Sequence, residues 1–279
     1  MSEGMTQSGP SRPAIDVSVP NVARMYDFWL GGKDNFAADR EAADRQTAAV
    51  PQIPWLARQN RDFLRRAVRF LGGQGITQFL DIGSGLPTND NVHEVAERVS
   101  PGSRVVYADI DPVVVSHAQA LLAGPRTEAV RGDVCRPEEL LAAPQVRRLI
   151  DFSQPVAVLI VAVLHVIPDE SDPYGAVARL RAAMAPGSYL VISHADTSTD
   201  HVVGTARLTP TAREIAESIK PTESVPARTR DQIAGFFGDF TLAEPGLTDV
   251  WAWRPDTDAA ITTSDFMRIL GGVARKDPA

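Results

Sequence analysis

The 279-residue chain has one cysteine, Cys135, and among its 28 Lys plus Arg only Lys33, Lys220 and Lys276 are lysines. A lone cysteine excludes an internal disulfide and a thiolate metal cluster, and fits a reducing cytoplasm. Long apolar runs are missing too. The longest, Val156 to Leu164, is nine residues, less than half of the ~20 that a bilayer-crossing helix needs. The opening MSEGMTQSGPSRPAID has no basic start, apolar stretch or cleavage site, so no secretory signal is expected. Excess positive charge is also absent. A formal net charge of -7 argues against a broad electrostatic grip on nucleic acid. The arginine bias, with abundant alanine, reads as a GC-rich bacterial coding habit, which makes Lys33, inside a dense local motif, stand out.

What is present is an ordinary globular composition, 44% hydrophobic and 23% charged, enough for one large domain with an appendage. Residues 1–18 are polar and aperiodic, and a disordered tail is expected there. Val22, Met25, Tyr26 and Trp29 then recur at helical spacing, Gly31-Gly32 breaks that helix, and two further helices are expected, the last over about 56–71. Residues 19–73 thus read as a helical cap or lid, and 74–279 as the main domain. In the latter, β-rich runs at 76–83, 104–110, 128–134, 156–164 and 188–195 alternate with helix-like stretches at 91–99, 112–123, 137–150 and 173–185. That rhythm predicts a parallel sheet wound on both faces. The run at 156–164 lacks polar alternation and should be a central strand. After a helix over 230–237, TLAEPGLTDVWAW resembles a strand pair and MRILGGVARK a closing strand.

The most informative stretch is Phe79-Leu80-Asp81-Ile82-Gly83-Ser84-Gly85-Leu86-Pro87. Two glycines a residue apart, between strand and helix, let a ligand approach the backbone closely. Asn91 and Glu94 are placed to cap the following helix reciprocally. A dinucleotide loop wants a third glycine where Thr88 stands, and Asp81 would repel a pyrophosphate. The same carboxylate suits a ligand with a positive end, such as the ammonium and sulfonium of S-adenosylmethionine. Asp109, at the end of the second strand, can accept from both hydroxyls of a ribose. Asp133, read as the end of the third, can accept from an adenine amino group, with the Val134 N–H on a ring nitrogen. Each Asp alone is also a common turn or cap residue. All three in order converge on one crevice at the carboxyl ends of the strands. Asp111, followed by Pro112, is expected to cap the next helix.

These residues resemble class I S-adenosylmethionine-dependent methyltransferases, and more closely a bacterial branch long catalogued as a domain of unknown function. The matching stretches are ARMYDFWLGGKDNFAADREAADR, QFLDIGSGLPTNDNVHEVA, VVYADIDPVVVSHAQALL, VAVLIVAVLHVIPDE and the tail GGVARK, together spanning about residues 20 to 277. The resemblance implies an α/β, Rossmann-like fold: a seven-stranded, mostly parallel sheet with an antiparallel final strand, helices on both faces and a helical N-terminal cap. It also implies S-adenosylmethionine as cofactor, held by Asp81, Gly83, Gly85, Asp109 and Asp133. Leu86-Pro87 departs from the third loop glycine of many such enzymes.

Other residues carry two readings each. Tyr26, Lys33 and Asn35, in a glycine-rich corner with Asp27 and Asp34, are candidates for binding the acceptor, with Lys33 holding a carboxylate, either the methionyl end of the cofactor or an acidic acceptor; the alternative is a solvated helix–turn–helix corner. His165, after the fourth strand, is a candidate general base, or orders its loop. His194, Asp196, Asp200 and His201 match no zinc spacing, and no metal is expected. Arg58, Arg61, Arg65 and Arg69 line one helix face, as a solvated stripe does. Trp251 and Trp253 read as core, and Cys135 as a small buried residue. The expected function is transfer of a methyl to an oxygen or nitrogen of a small molecule, by a cytoplasmic enzyme with no nucleic-acid or membrane partner. The alternatives are a non-catalytic module that binds the cofactor or its demethylated product, and a nucleotide-dependent oxidoreductase.

Overall fold

The computed structural model describes residues 16–196, 226, 228–257 and 267–278. The tail expected over 1–18 lies outside the described residues but for its last three, as do Lys220, Asp200 and His201. The described residues build one sheet from β1 (Gln78–Ile82), β2 (Arg104–Asp109), β3 (Thr127–Arg131), β4 (Ala157–Val161), β5 (Tyr189–Asp196), β6 (Thr241–Leu242), β7 (Thr248–Asp249) and β8 (Arg268–Arg275). The order is β3-β2-β1-β4-β5-β8-β6, with β7 also paired to β8. β1 to β5 are parallel, and β8 runs antiparallel beside β5. The expected seven-strand path is therefore present, with the two-residue β7 as an eighth strand.

Both faces of the sheet are covered. Leu80, Val106, Val158, Ile160 and Leu190 pack on one side, and Phe79, Val105, Leu159 and Val191 on the other. This is why Ala157–Ile160 carries no polar alternation: every one of these side chains is buried. The first face is closed by α6 (Pro137–Ala142), α7 (Pro144–Leu149), α8 (Pro173–Ala183) and α9 (Arg230–Gly235). The stretch expected as one helix over 137–150 is two helices. Pro144 cannot donate to the helix, and Ala143 before it is extended, at φ -58° and ψ 134°.

The second face carries α3 (Ile53–Gly73), α4 (Val92–Val99) and α5 (Pro112–Leu121). α3 starts earlier than its periodicity predicted, with Pro54 tolerated in its first turn. Its Phe63, Leu64, Val68 and Leu71 belong to the sheet's own core. Only α1 (Val22–Trp29) and α2 (Ala37–Ala49) form a separate cluster, around Met25, Ala42 and Ala43. Buried Asp39 joins them: it pairs with Arg24 at 2.8 Å and accepts from the N–H groups of Asn21 and Phe36. Trp251 and Trp253 stand in a turn after β7 rather than on a strand. Trp253 sits edge-on to Phe63 and Phe70, as core. Among the described residues no helix is long and apolar enough to cross a membrane.

Candidate functional site

The strand order reverses between β1 and β4, and in open α/β sheets this is where a crevice opens at the strands' carboxyl ends. The loops after these two strands meet there. Gly83, at φ +72°, packs so closely on Val163 that a Cβ would stand 2.2 Å from its Cγ2. Gly83 must therefore be glycine for both conformation and space. Gly85 also has positive φ, +67°, but its missing Cβ would meet nothing within 4 Å. One glycine seals the floor of the crevice and the other leaves a cradle open.

Asp109, the last residue of β2, fixes that cradle. One carboxylate oxygen accepts from the Gly85 N–H at 3.0 Å and the other from the Asp111 N–H at 2.9 Å. Burial pushes its carboxyl above the usual range. Ile110 beside it is apolar yet 58% exposed, an open face adjoining the carboxylate. Sequence reasoning passed it over, although an isolated apolar residue just after a strand-end acid was a visible signal. The caps form as expected: Glu94 accepts from the Asn91 N–H at 2.7 Å, and Asp111 from that of Val113 at 2.7 Å.

Asp81 lies within β1, not at its edge, and is 3% exposed. No hydrogen bond to its carboxylate exists among the described residues. Burial pushes it up to about 7, opposed by the charge of Arg61 and assisted by that of Asp109. A small, partly open cavity, with room for about one water, brings Asp81 together with Arg61, Ser84, Gly85, Asn91 and Tyr107. Arg61 thus departs from the solvated stripe expected of its helix face. Its neighbours keep to the stripe: Arg65 and Arg69, with side chains 39% and 46% exposed, pair at the surface with Asp90 at 2.9 Å and with Asp256 at 2.5 Å.

Asp133 is not at the end of β3, which stops at Arg131. It sits in the turn beyond, where its Oδ1 accepts from the Cys135 N–H at 2.9 Å. Val134 is buried next to it, and Cys135 is half-buried rather than enclosed. The cap residues divide. The Tyr26 hydroxyl donates to the Ala57 carbonyl and accepts from Asn60, both at 2.9 Å. Burial pushes it up to about 12. Asn35 is buried and donates to Asp27 at 2.8 Å and to the Gly32 carbonyl at 3.1 Å. Both side chains are therefore committed to holding the cap together. Gly32 is needed there, since a Cβ would overlap the Asp27 carboxylate. Lys33 stays exposed on the same corner. Asp34 approaches His117 of α5 to 3.8 Å, which brings the corner to the helix that starts beside Asp109.

His165 sits in a 3₁₀ turn after β4. Burial, aided by the charge of Arg228, lowers it to about 4, and its Nδ1 has no partner among the described residues. This differs from the near-neutral histidine that its position suggested. His194 on β5 lies edge-on to it, ring centres 5.7 Å apart. Arg228 donates to the His194 Nε2 at 2.9 Å. A guanidinium cannot accept, so that nitrogen is unprotonated and Nδ1 donates to the Ala195 carbonyl at 2.7 Å. Arg228 also donates to the carbonyls of Leu164 and Ile167, at 2.6 and 2.8 Å. It straps the whole His165 turn. No local pattern marks it, since these partners lie 34 to 64 residues away. Among the described residues no three His, Cys, Asp or Glu gather as a metal site.

Residues 8–277 match the family model described as S-adenosyl methyltransferase. Among solved structures, the chain is 42% identical to a protein named as a candidate methyltransferase from Thermobifida fusca YX, with a TM-score of 0.85 and coverage of 95% of this chain and 98% of that one. It is 38% identical to a DUF574-family protein from Streptomyces avermitilis MA-4680, with a TM-score of 0.84 and coverage of 94% and 99%. The plantazolicin methyltransferase BamL shares the fold alone, at 11% identity, a TM-score of 0.52 and coverage of 92% and 96%. A search of curated proteins returned no match.

Proposed function

We infer the acceptor from a premise now in hand: this chain belongs to the S-adenosyl methyltransferase family and is an S-adenosylmethionine-dependent methyltransferase. The residues present fit that cofactor. Open space stands over Gly85, a buried carboxylate without a hydrogen bond among the described residues lines the cavity at Asp81, and Asp109 borders the exposed face of Ile110. In the proposed assignment Asp81 faces the cationic end, Gly83 and Gly85 shape the loop, and Asp109 takes the ribose hydroxyls. Asp133 and the Val134 N–H take the adenine, against the Ile110 side chain. When bound, S-adenosylmethionine supplies an electrophilic methyl on a cationic sulfonium.

The acceptor we propose is an oxygen or nitrogen of a small molecule, met under the cap formed by α1 and α2, in a bacterial cytoplasm. The observation that carries this reading is the His165 imidazole, neutral at neutral pH, whose buried Nδ1 has no partner among the described residues. A nucleophile that carries a proton must shed it as the methyl arrives. An imidazole lowered to about 4 still takes a proton from a methylated oxonium, which is a far stronger acid, and so favours oxygen within this pair. The chain's larger contribution is to hold nucleophile and methyl at near-attack distance and to exclude water. Lys33, the exposed cation on the cap corner, is placed to meet an acidic acceptor. The test is a panel of small hydroxylated and amino compounds with S-adenosylmethionine, read by S-adenosylhomocysteine release and methylated product. Tight cofactor binding with no turnover across the panel would favour a binding module instead. Asp109→Ala is expected to weaken cofactor binding by about 1–3 kcal/mol, from hydrogen bonds lost to a charged acceptor. Unchanged affinity in a calorimetric titration would show the ribose to lie elsewhere.

A further inference from the structure

Arg61 is the cation of the cavity that also holds Asp81, Ser84 and Gly85. It projects from α3, and its guanidinium is poorly used. The Nε is buried with no partner among the described residues, and one Nη donates to the Asp90 carbonyl at a long 3.4 Å. Arg65, one turn further along, closes onto Asp90 and Asp62. Arg61 closes onto no carboxylate within ion-pair distance among the described residues, although Asp81 lines the same cavity. A guanidinium left short of hydrogen bonds beside a carboxylate left short of them is costly in the free protein. It becomes favourable when one ligand brings a charge to each.

We propose that Arg61 and Asp81 form a subsite for an α-amino-acid zwitterion, with Arg61 holding the α-carboxylate of the cofactor's methionyl end. This rests on the cofactor assignment above; it gives the methionyl carboxylate to Arg61 and leaves exposed Lys33 to an acidic acceptor. The planar fork of arginine suits a carboxylate, with two parallel N–H donors that a lysine cannot present. The ammonium of the same ligand then faces Asp81. The opposing influence of Arg61 on Asp81 fits two charges close enough to share one ligand.

The test is a cycle of ligand against residue. S-adenosylmethionine and decarboxylated S-adenosylmethionine, which keeps the ammonium and sulfonium, are titrated into the wild-type chain and into Arg61→Gln and Arg61→Lys. The wild type is expected to prefer the carboxylated ligand at least tenfold, and Arg61→Gln to bind the two within threefold of each other. Arg61→Lys should keep part of the preference, and serves alone if the glutamine variant does not fold. A preference that persists undiminished in Arg61→Gln, or in Arg61→Lys where that variant serves alone, overturns the assignment, as does a wild type that binds both ligands equally. A wild type that binds neither overturns it together with the cofactor site, and so separates the two failures.

Discussion

Replacing Arg228 with leucine is expected to destabilise the protein by about 3–5 kcal/mol, a large part of the 5–15 kcal/mol typical of a domain. The side chain is 1% exposed and lies within cation–π reach of Tyr174 and Phe236. Its ion pair with Asp169 is a minor component, because that carboxylate is 62% exposed and well screened. The larger loss comes from the carbonyls of Leu164 and Ile167 and from His194 Nε2. Each is left in or near the core with no donor, at about 1–3 kcal/mol apiece. Leucine fills part of the space but supplies none of these bonds. Urea denaturation checks this. A loss below about 1 kcal/mol would mean that the turn holds itself and that Arg228 adds only packing. Because the same strap fixes the His165 turn, the surviving folded fraction should also lose turnover while keeping cofactor affinity.

Asp81→Asn should separate binding from stability. In the folded free protein Asp81 is pushed up to about 7, whereas unfolded it titrates near 3.8. A raised acid contributes stability that is fully present below the unfolded value and is lost as pH rises through about 7. At pH 8 the wild type carries a buried charge, and the amide should relieve a few kcal/mol of it. His165 and His194 work oppositely. Burial lowers them to about 4 and about 3, so their contribution is present above the unfolded 6.5 and lost as pH falls towards those values. Between pH 4 and 7 the two effects offset each other in the wild type. Removing Asp81 should expose the histidine contribution, so that the variant loses stability on acidification more steeply than the wild type. Thermal unfolding across that range reads this directly, and parallel profiles for both proteins would contradict it. Cofactor affinity should move the other way, falling more than tenfold in the variant. In the wild type at pH 6.5 binding should release a proton, seen as a dependence of the calorimetric heat on the buffer.

Local rules carried the frame. The Asn91–Glu94 box, the Asp111–Pro112 start and the glycine pair after β1 each follow from a few adjacent residues, and each element formed close to its expected bounds. The centrality of β4 followed from the unbroken run at 156–164. What stayed hidden depended on contacts distant in sequence. An arginine every three or four residues reads the same whether the helix face meets water or a cavity, so Arg61 could not be told from Arg58. Tyr26 and Asn35 looked free because their partners, Ala57, Asn60 and Asp27, become neighbours only when α1 lies on α3 and its corner folds back. Arg228 gave no sign at all. His165 was placed correctly after β4, but its basicity is set by burial, which sequence does not display.

The central claim is that this cleft takes S-adenosylmethionine through a carboxylate-lined, glycine-floored site. Calorimetric titration of the full chain with S-adenosylmethionine, S-adenosylhomocysteine and NAD, in parallel, tests it most directly. Micromolar binding of the first two, about -8 kcal/mol, and none of NAD is the expected result. Binding of NAD alone, or no binding of any of the three, would contradict it.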